Sequence, residues 1–135
     1  MQTLVTDLDM LALADSLEGQ LRWPGDARAH VAALRRKVNG ARIVRSDDVP
    51  EDVVTLNSRV RVTDLDGAFD AIYTVVPHAH GTRDDIPVAS PIGIALLGHR
   101  EGDEVGFWVD SGLRRLRIKH VLYQPEAAAR ARERR

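Results

Sequence analysis

Cysteine is absent from the 135-residue chain, which removes disulfide frameworks, thiol nucleophiles and thiolate zinc sites together. Aromatic residues are scarce, 4% of the chain, and that weighs against any activity needing an aromatic-lined pocket. No run of 18 or more apolar residues occurs, and the N-terminus lacks the basic, apolar, small-residue order of a signal peptide. Neither membrane insertion nor export is therefore indicated, and a cytoplasmic location is the expectation. Neither sign of charge dominates: a net charge of -1 argues against a protein that coats nucleic acid by electrostatics alone, and sequence-specific nucleic-acid binding is not expected. What remains is a 44% hydrophobic composition, enough to build a core in one ordinary domain or two small ones.

The apolar residues are organised in two different ways along the chain. Met10, Leu13, Leu17 and Leu21, then Ala27, Val31, Leu34 and Val38, recur at helical spacing and predict a short antiparallel helical hairpin over residues 1–45. Thr6 or Asp7 can cap the first helix, with Asp9 in its opening turn. Arg22-Trp23-Pro24-Gly25-Asp26 interrupts the pattern before Asp26 caps the second, and Asn39-Gly40 ends it. Helices of about 14 residues would be roughly 21 Å long, and their single apolar seam must lie partly against something else. "SDDVPED" at 46–52 suits an exposed connector.

Beyond the connector the period drops to two. Segments 59–62, 69–76, 86–89, 104–109 and 113–123 predict strands, with turns at Asp66-Gly67, Gly81, Gly102-Asp103 and Ser111-Gly112. A mostly antiparallel sheet over 53–126 follows, because no long helix is available for parallel crossovers. The fold class is thus α+β. Residues 127–135 make a basic tail, read as a frayed end with helical propensity from its alanines.

One stretch fits neither pattern. In "SPIGIALLG" at 90–98, Ser90 can cap a helix and Pro91 sits where a missing N–H costs nothing. Ile92, Ala95, Leu96 and Leu97 form one apolar face before Gly98 ends the turn. This is a short helix laid on the concave face of a curved sheet, its four apolar side chains contributing about 1.5 to 3 kcal/mol each.

The hairpin, the connector "VPEDVVTLNS" at 49–58, the run "ASPIGIALLGHREGDEV" at 89–105 and the closing "YQPEAA" at 123–128 together resemble the regulator of nucleoside diphosphate kinase family. That family is a short relative of the bacterial transcript-cleavage elongation factors of the Gre type. The likeness covers nearly the whole chain and implies an FKBP-like carboxyl domain that docks on the secondary-channel rim of bacterial RNA polymerase, with the hairpin pointing inward. It also implies an influence on nucleoside diphosphate kinase level and competition with longer Gre-type factors. Ser90, Pro91 and, following them, Ile92 are the polymerase-binding residues it implies; Ala89 stands where one relative has an acid.

Cleavage factors hold a second divalent metal with two carboxylates three residues apart at the hairpin tip. Here Asp26 stands alone, Ala29 occupies the second position and Arg28 adds positive charge. The resemblance therefore implies a binding protein with no catalytic residue, no metal and no cofactor. At the tip, Trp23 either folds over the hairpin seam or forms an anchor with Arg22. His78 and His80 alternate like metal ligands beside Asp84 and Asp85, but without a third ligand they read as an exposed loop. Arg35-Arg36-Lys37 reads either as a solvated face meeting the negative end of the second helix or as a basic patch toward a partner. The enzyme alternative is an FKBP-type peptidyl-prolyl isomerase. It is opposed by aromatics scattered over strands, with Phe107 and Trp108 on opposite faces.

Overall fold

The computed structural model describes residues 2–18, 25–67, 69–77, 82 and 84–133. Seven strands and four helices follow one another along them. The N-terminal part runs β1 (Leu4–Thr6), α1 (Asp7–Glu18), α2 (Gly25–Asn39) and β2 (Arg42–Val44). The rest runs β3 (Arg59–Asp64), β4 (Phe69–Val76), β5 (Asp85–Pro87), α3 (Pro91–Leu96), β6 (Glu104–Val109), β7 (Gly112–Tyr123) and α4 (Pro125–Glu133). The larger sheet has the order β5-β4-β3-β7-β6. Its pairs are antiparallel except β4 with β5, which run parallel.

Period-two alternation sorts this sheet into two faces. Along β3, Val60, Val62 and Asp64 point inward and are buried, while Arg59, Arg61 and Thr63 point out. The inner face meets α3, and α2 packs on α3 in turn. Leu13, Val31, Leu34 and Val38 join Val60 and Leu96 in one hydrophobic cluster, so the helical seam finds its cover on the sheet side. Thr6 caps α1, its Oγ1 accepting the Asp9 N–H at 3.0 Å. Asp9 is buried and accepts the Leu56 N–H; burial pushes its carboxyl up to about 6, with the Leu56 bond opposing. With 12 and 15 residues, α1 and α2 are about 18 and 22 Å long.

Four features depart from expectation. First, β1 and β2 pair in parallel; three residues each are too few to display a period. Second, the 46–52 connector is exposed only in part, because Val49 is 1% exposed and packs with Leu4 and Val53. Third, the strand expected over 86–89 ends at Pro87: the Val88 N–H makes the last β4–β5 bond, to Val76 O, and the chain then turns, the Ser90 N–H donating back to Pro87 O. Fourth, the tail is not frayed at its start: α4 is tied down by Gln124 and Arg130. Buried Gln124 donates from Nε2 to Pro50 O and Val53 O, and Arg130 donates to Ser46 O, Asp47 O and Val49 O. Carbonyls of a loop that forms no ladder are thereby satisfied by side chains. Among the described residues no helix is long and apolar enough to cross a membrane.

Helix α3 is pressed against β5 and its following turn. A Cβ added at Gly93 would stand 2.2 Å from Pro87 O and 2.8 Å from Val88 Cα, both backbone atoms that cannot swing away. A Gly93→Ala change is expected to destabilise the protein by about 3 kcal/mol through this overlap, read as a lower denaturation midpoint in urea. A midpoint equal to that of the native protein would mean that α3 is free to shift.

Candidate functional site

The first turn of α3 is built by its own sequence. Ser90 holds an extended conformation (φ -117°, ψ 162°), and its Oγ accepts the Gly93 N–H at 3.1 Å while donating to Pro87 O at 2.6 Å. The Ser90 N–H also donates to Pro87 O, and Ser90 O accepts the Ile94 N–H. Pro91 has no N–H to satisfy. The turn therefore directs nearly all of its polar groups inward; of its N–H groups, only that of Ile92 is without a partner among the described bonds. A helix start rich in unpaired donors is therefore not what the surface presents.

What it presents is apolar. Ser90, Pro91 and Ile92 are each half-buried, and the last two open onto two different hollows. Pro91 borders a groove of about 430 Å³ whose other walls are Ala29 and His30 of α2 and Trp108, Val109 and Asp110 at the end of β6. Ile92 lies at a cavity of about 210 Å³ lined also by Tyr73, Phe107, Asp64 and Arg114. Buried Asp64 accepts N–H groups of Asp66 and Gly67 and pairs with the Arg114 guanidinium. The Gly67 bond, then the Arg114 contact, hold its carboxyl below the usual carboxylate range. Arg114 Nε is buried with no partner among the described residues.

Phe107 and Trp108 do stand on opposite faces, as alternation requires. Phe107 turns to the cavity and Trp108 is 74% exposed. Yet Tyr73 and Phe107 converge on one hollow, a pairing across β4 and β6 that spacing along the chain could not reveal. The hairpin-tip residues Arg22 and Trp23 lie outside the described residues, as do His78 and His80. Asp26 falls inside α2, which begins at Gly25, so it is a first-turn residue and not the cap residue the sequence suggests. Among the described residues no three His, Cys, Asp or Glu side chains converge as a metal site.

Lys37 corrects the reading of the basic run. It is no solvated end of α2: its Nζ reaches α3 and donates to Ile94 O and, at 3.0 Å, to Ala95 O. Burial pushes its ammonium down to about 7. His99, just past α3, has Nδ1 3.2 Å from Asp103 Oδ2. Its ring is held below the usual histidine range by burial first and then by the Lys37 charge. A lysine in a basic run at a helix end carries no local signal of such a tertiary role.

Residues 49–123 match the family described as "Transcription elongation factor, GreA/GreB, C-term". The chain is 33% identical over 129 residues to the regulator of nucleoside diphosphate kinase of Escherichia coli K12, covering 93% of this chain and 92% of that protein. It is 31% identical over 101 residues to transcription elongation factor GreA of Syntrophotalea carbinolica, covering 73% of this chain and 64% of that one. Among solved structures, a prokaryotic transcription elongation factor GreA/GreB from Nitrosomonas europaea superposes with a TM-score of 0.71 at 28% identity. The superposition covers 91% of this chain and 99% of that chain.

The Lys37 contact has a pH signature. A lysine lowered to about 7 in the fold from 10.5 leaves the folded state with fewer bound protons than the unfolded one between those values. Stability should rise with pH from about 7 toward 10. A neutral amine keeps two N–H groups for the two carbonyls, so deprotonation does not break the contact. In Lys37→Met this rise should be lost, as measured by urea denaturation across that pH range; an unchanged slope would place the charge in solvent.

Proposed function

This chain belongs to the GreA/GreB family of transcription elongation factors, within the branch of the regulator of nucleoside diphosphate kinase, and on that premise we propose that it binds bacterial RNA polymerase and modulates transcription without cleaving the transcript. It docks at the secondary-channel rim through Ser90, Pro91 and Ile92, with Ser90 setting the position of the other two. The observation that supports this most is the rigid, half-exposed Pro91–Ile92 step, clamped from behind by Ser90 and Gly93 and flanked by two hollows. Pre-set apolar surface of this kind loses little freedom on association. The domain of sheet and α3 is read as FKBP-like because one short helix lies across a five-stranded, mainly antiparallel sheet.

The α1–α2 hairpin points into the channel. Helices of 12 and 15 residues reach about 20 Å, and residue 29 is alanine where a second carboxylate is needed. One carboxylate does not hold a catalytic metal between protein and substrate. The protein thus acts from the cytoplasm by occupancy, competing with longer Gre-type factors for the rim. The isomerase alternative draws only on the Tyr73–Phe107 cavity.

At saturating concentration the protein should suppress transcript cleavage stimulated by a longer GreA factor on stalled elongation complexes. It should itself stimulate none. Pro91→Ala should weaken binding to core polymerase about tenfold with an unchanged melting temperature. If polymerase binding and GreA-stimulated cleavage are both indifferent to saturating protein, the docking reading is wrong. In a proline-peptide assay no rate above background is expected; a measurable one would favour the isomerase.

A further inference from the structure

We propose that Trp108 is the anchor of the docking surface and that it is received by an apolar ridge of the polymerase edged by lysine or arginine, an inference that rests on the docking reading above. Trp108 is the most exposed large apolar residue described, at 74%. Its neighbours extend the patch: Leu113, its partner across the β6–β7 register, is 48% exposed and Val109 is 38% exposed. An aromatic ring of this size can bury about 150 to 250 Å² at an interface while losing only two torsions. Solvent exposure gives the molecule itself no return for it.

Three observations join Trp108 to Pro91. Both border the same groove of about 430 Å³, with Ala29 and His30 of α2 across from them, so a ligand seated on Pro91 touches the indole as well. The backbone that carries the indole is fixed beside the groove, because the Val109–Gly112 pair closes β6 and β7 over a two-residue turn, with Gly112 at φ 123°. Finally, the groove has a polar edge of one sign. Asp110 in that turn is exposed, lines the groove, and has no ion pair among the described residues. An unpaired carboxylate beside an apolar anchor selects a cationic neighbour on the partner and repels a phosphate backbone. That favours a protein ridge over nucleic acid as the occupant.

The test is equilibrium binding to core RNA polymerase free of nucleic acid, comparing the native chain with Trp108→Ala, Asp110→Lys and Pro91→Ala. Trp108→Ala should raise Kd at least tenfold, and Asp110→Lys several-fold with a flatter salt dependence. Neither should change the melting temperature, because both side chains are exposed. Native-like binding by Trp108→Ala alongside weakened Pro91→Ala would overturn the anchor and leave the docking reading intact. Native-like binding by Asp110→Lys would overturn the basic ridge. Absence of binding by the native chain would remove the docking reading and this inference with it.

Discussion

The contact of α3 with the end of β5, so close that residue 93 has no room for a side chain, is the constraint on which the rest of the molecule depends. From it follows the orientation of the helix: Ser90 doubly bonded to Pro87 O, Ile92 over the cavity, Pro91 beside Trp108. The helix exit is equally fixed. Gly98 takes φ 84°, and its carbonyl receives the Leu4 N–H while its own N–H goes to Val54 O. A six-residue helix is too short to persist alone. This one is held at both ends by backbone it does not belong to, and it joins β5, β1 and the chain entering β3.

That arrangement explains what the sequence could and could not convey. Local rules were readable where the physics is local. Ser90-Pro91 at a helix start, Gly98 at its exit, Thr6 ahead of Asp9, and the alternation of Val60 and Val62 all appear as expected. Readings failed where a side chain is used far along the chain. Lys37 bonds residues 57 and 58 positions away, Gln124 reaches back 74, and Arg130 bonds 81 to 84 positions away. Each is a polar residue in a stretch whose composition suggests solvent. Nothing in the spacing distinguishes a lysine that neutralises a helix end in water from one that does so inside the fold. The candidate site was half readable for the same reason: Ser90, Pro91 and Ile92 are contiguous, whereas Tyr73, Phe107 and Trp108 acquire meaning only through strand pairing.

The tie between α2 and α3 bears on how the two parts of the molecule move. Leu34 and Val38 on α2 share a core with Leu96 and Leu97, and Lys37 on the same helix holds the carbonyls of α3's last turn. Apolar packing alone allows small sliding at modest cost, but directed hydrogen bonds in a half-buried site do not. The angle between α2 and α3 is therefore set by geometry common to both. In the proposed docking, a polymerase that seats α3 would also aim α2. This matters more for a short hairpin than for a long one, since a stub of about 20 Å has no spare length with which to correct a wrong direction.

The polar accounting of α3 finally separates two roles that the adjacent Ser90 and Pro91 seem to share. If recognition used the positive end of the helix, Ser90 would leave its hydroxyl and the first-turn N–H groups open to an acceptor. Instead the hydroxyl both donates and accepts within the protein, and the Gly93 and Ile94 N–H groups are taken by Ser90 itself. With a capping serine worth about 1 kcal/mol to a helix, its work is done before any partner arrives. Ser90 is thus a positioning residue, and the surface it positions is Pro91 and Ile92. Recognition at such a surface proceeds by shape and desolvation, which rewards rigid apolar groups near the centre and charges only at the edge.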